Sequence, residues 1–168
     1  LPLRPIPEQY NQQDLLQVVL PWKQQFDLRE GGYLREPKFP LPNNWQFLLR
    51  YAVLADDVET LAQVHMTLEK MGRGGIYDQV GGGFARYSVD DKWHVPHFEK
   101  MLYDNAQLIA LYSEAYQQQP NPLYKRIVEE TVAWLHREML ADNGGFYAAL
   151  DADSEGVEGK FYTFHTAE

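Results

Sequence analysis

The chain contains no cysteine, and this absence excludes several chemistries at once. Disulfides, thiolate catalysis and cysteine-ligated zinc all need a thiol. Long apolar runs are also missing: none approaches the roughly 20 residues of a membrane-spanning helix, so we expect no membrane partner. Basic residues are few, with 15 Lys and Arg against 24 Asp and Glu and a formal net charge of −9. Without a basic cluster, no nucleic-acid partner is expected.

Apolar side chains, by contrast, are plentiful. They make up 45% of the 168 residues, which is enough for one domain with a hydrophobic core. The sequence predicts neither a cofactor nor a metal ion. The pair His94 and His97 in the sequence His-Val-Pro-His is too closely spaced for the helical zinc motif His-Glu-x-x-His, whose two histidines are four positions apart. Nothing suggests a secreted disulfide scaffold, and we expect a cytoplasmic location.

Helical spacing of apolar residues predicts an all-α fold. Helices are expected over about 14–26, 43–55, 57–72, 100–118 and 121–140, with Asn43, Asp57 and Asn121 as N-caps. The short connections predict antiparallel αα-hairpins. We divide the chain into a lead-in with the first helix, residues 1–26, and a series of hairpins, residues 27–168. The last residues resemble the approach to another helix, so the chain is expected to be a fragment of a longer protein.

Glycine pairs followed by an aromatic residue recur after the predicted helices and indicate an internal repeat. The three copies are Gly31-Gly32-Tyr33, Gly74-Gly75-Ile76-Tyr77 and Gly144-Gly145-Phe146-Tyr147. Helical hairpins in series build a solenoid or a closed α/α ring. Within the second loop, segments 84–87 and 93–95 flank the polar residues 89–92, which predicts a short β-hairpin among the loops.

The segment 74–107 concentrates glycines, aromatics, histidines and carboxylates, a mixture typical of a pocket for a polar small molecule. Sugar epimerisation needs a base that takes a proton and an acid that returns one, and histidine suits both roles. Glycoside hydrolysis instead needs two carboxylates. The catalytic candidates are Asp78, His94, His97 and Glu99. The alternative is structural: His97, Glu99 and Asp104 would only cap and hold the following helix.

Ligand-binding candidates surround these residues. Arg86 is suited to hold an anionic or hydroxyl-rich group, and the rings of Tyr77, Tyr87 and Trp93 are suited to stack on a sugar. The alternative is that these rings only fill the loop layer.

The acidic loop 151–156 supplies a second group of ligand-binding candidates. Asp151, Asp153 and Glu155 resemble the first half of a calcium loop, but position twelve is Tyr162, so the bidentate glutamate is missing. We therefore interpret the three carboxylates as lining a sugar pocket, with a purely structural turn as the alternative.

Three long motifs resemble a known family: PKFP (37–40), GGIYDQVGGGFARYSVDDKWHVPHFEKMLYDNAQL (74–108) and GGFYAALDADSEGVEGKFY (144–162). They are similar to the YyaL-type family of thioredoxin-domain-containing, spermatogenesis-associated proteins. The resemblance covers about residues 27–168, with departures at Leu34-Arg35-Glu36 and Phe164. It implies part of an (α/α)6 toroid related to N-acylglucosamine 2-epimerases and six-hairpin glycosidases. It also implies two partners from the parent protein, a thioredoxin-like domain and the remaining hairpins.

The functional prediction combines the residues with the resemblance. The leading hypothesis is a carbohydrate-binding or carbohydrate-converting domain, epimerase- or glycosidase-like, that uses histidine and carboxylate acid/base chemistry on a sugar. The rival is a non-catalytic interaction module that partners a thioredoxin-like domain. Convergence of the candidate side chains on one open pocket would favour the first hypothesis, and their burial in a mutual network would favour the second. Incomplete hairpins leave apolar faces unpartnered, so self-association is also expected.

Overall fold

The computed structural model describes residues 11–164 and contains one leading helix and two helical hairpins. The helices are α1 (Gln12–Lys23), α2 (Pro42–Ala55), α3 (Val58–Arg73), α4 (Leu102–Gln118) and α5 (Pro122–Trp134), the last continued by the π-helical turn Leu135–Met139. Helices α2 and α3 form one hairpin and α4 and α5 the next, and α2 packs on α4 more extensively than α3 packs on α5. The predicted all-α hairpin fold is therefore confirmed, and α2 and α4 have the close packing expected of inner helices in an α/α ring.

Side-chain caps fix two of the predicted helix starts. Asp57 accepts a hydrogen bond from the backbone N–H of Thr60 at the start of α3, and Asn121 accepts one from that of Leu123 at the start of α5. Each cap satisfies a donor that has no partner inside the helix. The α1 helix runs through Pro21 to its end without a break. Residues 1–10 of the predicted lead-in and residues 165–168 of the expected C-terminal helix lie outside the described residues.

Two other helix starts differ from the prediction. The N-cap of α2 is Leu41 and its first residue is Pro42, so Asn43 lies inside the helix and not at its cap. Proline suits the first helical turn because it lacks the N–H that would have no partner there. The α4 helix begins at Leu102, after a two-residue strand that was predicted to be helical.

Within residues 11–164, six two-residue strands form three antiparallel pairs. They are β1 (Tyr87–Ser88) with β2 (Pro96–His97), β3 (Lys100–Met101) with β4 (Ala149–Leu150), and β5 (Asp153–Ser154) with β6 (Val157–Glu158). The β-hairpin in the second loop is thus confirmed, although its arms are shifted, and Phe84 instead bridges Tyr77. Because β3 precedes α4 and β4 follows α5, this pairing places the loops of successive hairpins at the same end of the helices.

The core between the hairpins is rich in large aromatic side chains. Fully buried examples are Trp45, Trp93, Trp134, Tyr77, Tyr112, Tyr124 and Phe84. Aliphatic residues of α2, α3 and α4 fill the space between these rings. No helix in the described part of the chain has the length and apolar character needed to cross a membrane.

A buried ion pair holds the first Gly-Gly loop. Lys38 Nζ donates to Asp27 Oδ2 at 2.7 Å and to the carbonyl oxygen of Gly31 at 2.9 Å. Only 1% of the Lys38 side chain and 9% of the Asp27 side chain are exposed. Burial opposes ionisation of Asp27, but hydrogen bonds from the Glu30 N–H and from Lys38 outweigh it and lower the pKa of this carboxyl.

The second loop repeats this arrangement atom for atom. Lys100 Nζ donates to Asp78 Oδ2 at 2.8 Å and to the carbonyl oxygen of Gly82 at 2.8 Å. In both loops the second acceptor belongs to the glycine four residues after the aspartate. The two glycines of each loop, 31–32 and 82–83, have φ angles of 71–83°, a region that glycine enters without strain. The repeat is therefore present in the first two loops, and its second copy is Gly82-Gly83-Phe84 and not the predicted Gly74-Gly75-Ile76-Tyr77.

We predict that Lys38→Met is strongly destabilising, because it leaves the buried Asp27 carboxylate without its counter-charge. The expected loss in the free energy of unfolding is about 3–5 kcal/mol, as for other buried pairs that lose one partner. Denaturant titration of the chain measures it. Lys160→Met is the control, because Lys160 forms an exposed ion pair with Glu155. The double variant with Asp27→Asn should recover part of the loss, and a Lys38→Met variant as stable as the control would contradict the role assigned to the pair.

Candidate functional site

Two cavities open near the loop end of the hairpins. The larger has a volume of about 670 Å³ and is lined mainly by apolar and aromatic side chains of the 75–81 loop, the end of α5 and residues 161–164. The smaller, of about 290 Å³, lies between the turn 39–44 and the first turns of α4. We call the smaller one the Arg86 cleft; its charged and polar lining residues are Arg86, Asp104, Tyr103, Gln107, Asn43 and Asn44.

Asp78 borders the larger cavity, but both of its carboxylate oxygens are already used. Oδ2 accepts from Lys100, and Oδ1 accepts from the backbone N–H groups of Val80 and Gly81. Burial alone would raise the pKa of Asp78, but the hydrogen bonds from Gly81 and Lys100 lower it, so the group stays ionised. Since Asp27 makes the same contacts in the first loop, this geometry favours a structural role for Asp78 over the predicted catalytic one.

Two of the predicted sugar-stacking rings belong to the core. Trp93 has no exposed surface, and its indole N–H donates to the carbonyl of Glu30 at 2.9 Å. Tyr77 is 1% exposed, and its hydroxyl donates to Glu130 Oε2 at 2.6 Å. Burial, followed by that hydrogen bond, raises the pKa of Tyr77. Both positions favour the alternative interpretation, in which these rings fill the loop layer.

The acidic loop is exposed and does not reach the Arg86 cleft. Asp151 Oδ1 accepts from the backbone N–H of Asp153, as in a turn, and Glu155 pairs with Lys160 near the tip of the β5–β6 hairpin. Within residues 11–164 no group of three or more His, Asp or Glu side chains is arranged to hold a metal ion. The contacts agree with the structural alternative for this loop.

His94 is also separated from the cleft. Its side chain is exposed, its backbone N–H donates to Asp90 Oδ1 at 3.0 Å, and its carbonyl packs against Gly75 on the side of the larger cavity. The structure therefore does not bring His94 together with His97, although only two residues separate them in the sequence.

Three of the predicted residues converge on one another, and one of them, Arg86, lines the cleft. Arg86 Nη1 donates to Glu99 Oε2 at 3.0 Å, and His97 Nε2 lies 3.8 Å from the same oxygen. His97 Nδ1 is 2.8 Å from Glu158 Oε1. A carboxylate only accepts hydrogen bonds, so Nδ1 carries the hydrogen and Nε2 is the basic nitrogen of the neutral ring. The row Arg86–Glu99–His97–Glu158 is a charged network at the cleft's edge.

Aromatic rings form the floor beside this network. His97 stacks on Tyr87 with ring centroids 4.8 Å apart, and Tyr87 lies 4.8 Å from Phe39. Phe39 itself lines the cleft. This stack holds the His97 imidazole in place and offers an apolar ring face next to polar groups. The predicted position of Tyr87 in a ligand site is consistent with this arrangement.

Asp104 lines the cleft, although the sequence analysis named it only in the structural alternative. Burial raises its pKa to about 6, the positive charge of Arg86 opposes the shift, and Glu99 adds to it. The capping role is wrong, because no side chain caps α4 and Asp104 accepts no hydrogen bond from its first turn. The signal that could have found it is local: Asp104 and Gln107 are three residues apart and therefore share one helix face.

Curated relatives cover most of the chain, whereas no family model matches it. Human spermatogenesis-associated protein 20 is 43% identical over 139 residues, which is 80% of this chain and 18% of that protein. The mouse protein is 40% identical over 85% of this chain and 19% of its own length. An uncharacterized protein of Caenorhabditis elegans is 40% identical over 85% of the chain and 21% of its length. The chain thus spans about a fifth of these relatives, and its homology to this part of them confirms the predicted resemblance.

Solved structures with a similar fold are sugar epimerases and an isomerase. Cellobiose 2-epimerase from Bacillus thermoamylovorans superposes with a TM-score of 0.69 at 17% identity, over 83% of this chain and 40% of that one. A sugar epimerase from a ruminal bacterium gives 0.68 at 18% identity, with the same coverage. D-mannose isomerase gives 0.53 at 16% identity, over 77% of this chain and 32% of its own. The fold is therefore part of an (α/α)6 toroid, as predicted.

The raised pKa of Asp104 predicts how stability depends on pH. The folded state holds this proton up to about pH 6, whereas an ordinary aspartate loses it near 3.8, so ionisation destabilises the fold as pH rises between these values. The Asp104→Asn variant has no carboxyl to ionise at this position, so its fold is not destabilised in this way as pH rises. Its stability relative to wild type should rise by about 1 kcal/mol between pH 4 and pH 7.5, less than the full shift implies because the cleft is open to water.

Thermal unfolding of the intact protein across this pH range measures the effect. Asp142→Asn is the matched control, because Asp142 is an exposed carboxylate. Parallel pH profiles for wild type and Asp104→Asn would show that Asp104 titrates as an ordinary carboxyl.

Proposed function

We propose that this chain contributes the Arg86 cleft to a carbohydrate-converting toroid, in which a sugar is bound and then epimerised or isomerised by acid/base chemistry. The observation that supports this most is the lining of the cleft. A charged guanidinium, the carboxyl group of Asp104, a tyrosine hydroxyl and three side-chain amides lie beside an aromatic ring, Phe39. Planar polar groups pair with the donors and acceptors of sugar hydroxyls, while an aromatic face covers the apolar side of the ring.

Each role follows from the contacts of the side chain concerned. Arg86 keeps its charge, because its hydrogen bond to Glu99 raises its pKa further, and it is the anchor for sugar oxygens. His97 is the base, because Nδ1 faces Glu158 and Nε2 is left to take a proton. Glu99 lies within 3.8 Å of that nitrogen and stabilises the imidazolium that forms.

The structural neighbours support this proposal at the level of fold. Two are sugar epimerases and one is an isomerase, and this chain corresponds to two fifths of the length of each epimerase. Since one fold carries many chemistries, the cleft and not the fold is the argument for sugar conversion. Glycoside hydrolysis needs two carboxylates available to the substrate. Because Glu99 is paired with Arg86, epimerisation or isomerisation by proton transfer is favoured over hydrolysis.

Sugar binding is tested on the full-length protein with cellobiose and D-mannose as probes. We expect Arg86→Gln to weaken binding about 10- to 100-fold, the effect of losing a charged hydrogen-bond donor. Isothermal titration measures affinity, and incorporation of solvent deuterium at sugar C2 reports deprotonation. Arg73→Gln is the control, because Arg73 is an exposed arginine at the end of α3. Equal binding by the two variants, or no binding of either sugar by wild type, would refute the proposal.

A second candidate function is supported by a separate observation. Val53, Leu54 and Val58, at the turn between α2 and α3, are 50%, 74% and 73% exposed. Exposed apolar side chains that form a contiguous patch favour a protein–protein contact. A non-catalytic module that packs against a thioredoxin-like domain would use such a surface and would leave the Arg86 cleft without a sugar. Self-association of the isolated chain stays a prediction.

A further inference from the structure

Asp104 occupies a helix position that usually serves the backbone, yet it does not do so. It is the third residue of α4, where a carboxylate commonly bonds back to the cap residue. Asp14 does this at the start of α1, where it forms a reciprocal pair with Asn11. In α4 the cap residue Met101 has no such bond, and the Asp104 carboxyl lines the Arg86 cleft.

The groups around Asp104 leave it without a fixed partner. Within residues 11–164, no side chain or backbone group forms a hydrogen bond or an ion pair with its carboxyl. Arg86 and Glu99 are the charged groups that act on it, and Arg86 is already bonded to Glu99 at 3.0 Å. Across the cleft, α2 contributes neutral groups to the lining, the side-chain amides of Asn43 and Asn44. A half-buried carboxyl with unused hydrogen-bonding capacity therefore faces the space that a ligand would enter.

The carboxyl groups of Glu99 and Asp104, which both lie near Arg86, consequently differ in their partners. Glu99 accepts a hydrogen bond from Arg86, whereas Asp104 is half-buried and unpaired, and burial raises its pKa to about 6. Carboxyl pairs whose environments push their proton affinities apart are the arrangement by which one active site obtains both an acid and an anion.

We propose that Asp104 is the acid of the Arg86 cleft and that it opens the ring of a bound cyclic sugar. This rests on the proposed function, since it assumes a sugar in the cleft. The proton moves from the Asp104 carboxyl to the ring oxygen, and the bond between C1 and that oxygen breaks with its electron pair on the oxygen. The proton of the anomeric hydroxyl passes to Nε2 of His97, and its bonding electrons complete the C1 carbonyl. Arg86 then faces the Asp104 carboxylate and stabilises its charge.

Exchange between the two anomers of a sugar reports ring opening separately from epimerisation. The experiment uses the full-length protein and D-mannose, with anomer exchange followed by NMR and affinity by titration. We expect Asp104→Asn to slow the catalysed exchange by at least about tenfold, the lower range for loss of a general acid. Affinity should change by less than about threefold, since one neutral hydrogen bond is altered. Asp104→Glu, which keeps a carboxyl, should recover part of the rate, and Asp142→Asn should leave it unchanged.

The outcomes separate this inference from the function on which it rests. Sugar binding by wild type together with full anomer exchange in Asp104→Asn would overturn the role of Asp104 and leave the sugar site standing. No sugar binding by wild type would overturn both. The pH profile gives a further readout: exchange by wild type should fall as pH rises through about 6, and Asp104→Asn should lack that fall.

Discussion

The buried pair of Lys100 and Asp78 is the constraint on which the geometry of the Arg86 cleft depends. Lys100 is fixed on one side of its strand by Asp78, by the carbonyl of Gly82 and by the ring of Trp134. Adjacent residues of an extended chain point to opposite sides, so the neighbouring Glu99 is directed away from that pair. There the Glu99 side chain pairs with the guanidinium of Arg86. The backbone carbonyl of Glu99 also accepts a hydrogen bond from the backbone N–H of Arg86 at 2.8 Å.

The same pairs also join one repeat to the next. The Lys38 ammonium lies 5.4 Å from the ring of Trp93, which belongs to the following loop, and Lys100 lies 4.8 Å from the ring of Tyr162, which belongs to the loop after that. Each buried cation is thus covered by an aromatic residue supplied one repeat later. Trp93 adopts a φ of 64° at this position, a conformation that persists where the surroundings fix it. Successive loops are therefore held at the same end of the hairpins.

The sequence predicted the helices well because their signals are periodic and local. Apolar spacing gave the two hairpins, and Asp57 and Asn121 gave correct caps. The buried lysines could not be found in this way, since a lysine in a loop has no periodic signal and is usually exposed. A usable signal existed in the spacing, because Asp27 and Asp78 each precede their glycine pair by four residues. This alignment was missed because another glycine pair, Gly74-Gly75, lies closer to the end of α3 and was aligned in its place.

The candidate site was harder to predict, because composition does not tell which carboxyl will be saturated. Asp78 and Asp104 are the same residue type in one motif-rich segment, yet the fold uses all of Asp78 for backbone and lysine contacts and leaves Asp104 facing a cavity. The sequence pattern marked Asp78 as a catalytic candidate and Asp104 as a structural residue, and the three-dimensional arrangement places Asp78 in the loop contacts and Asp104 at the cavity. One short segment therefore supplies both the contacts of the structural repeat and the lining of the open cleft. The direction in which each side chain leaves the backbone decides which of the two it joins.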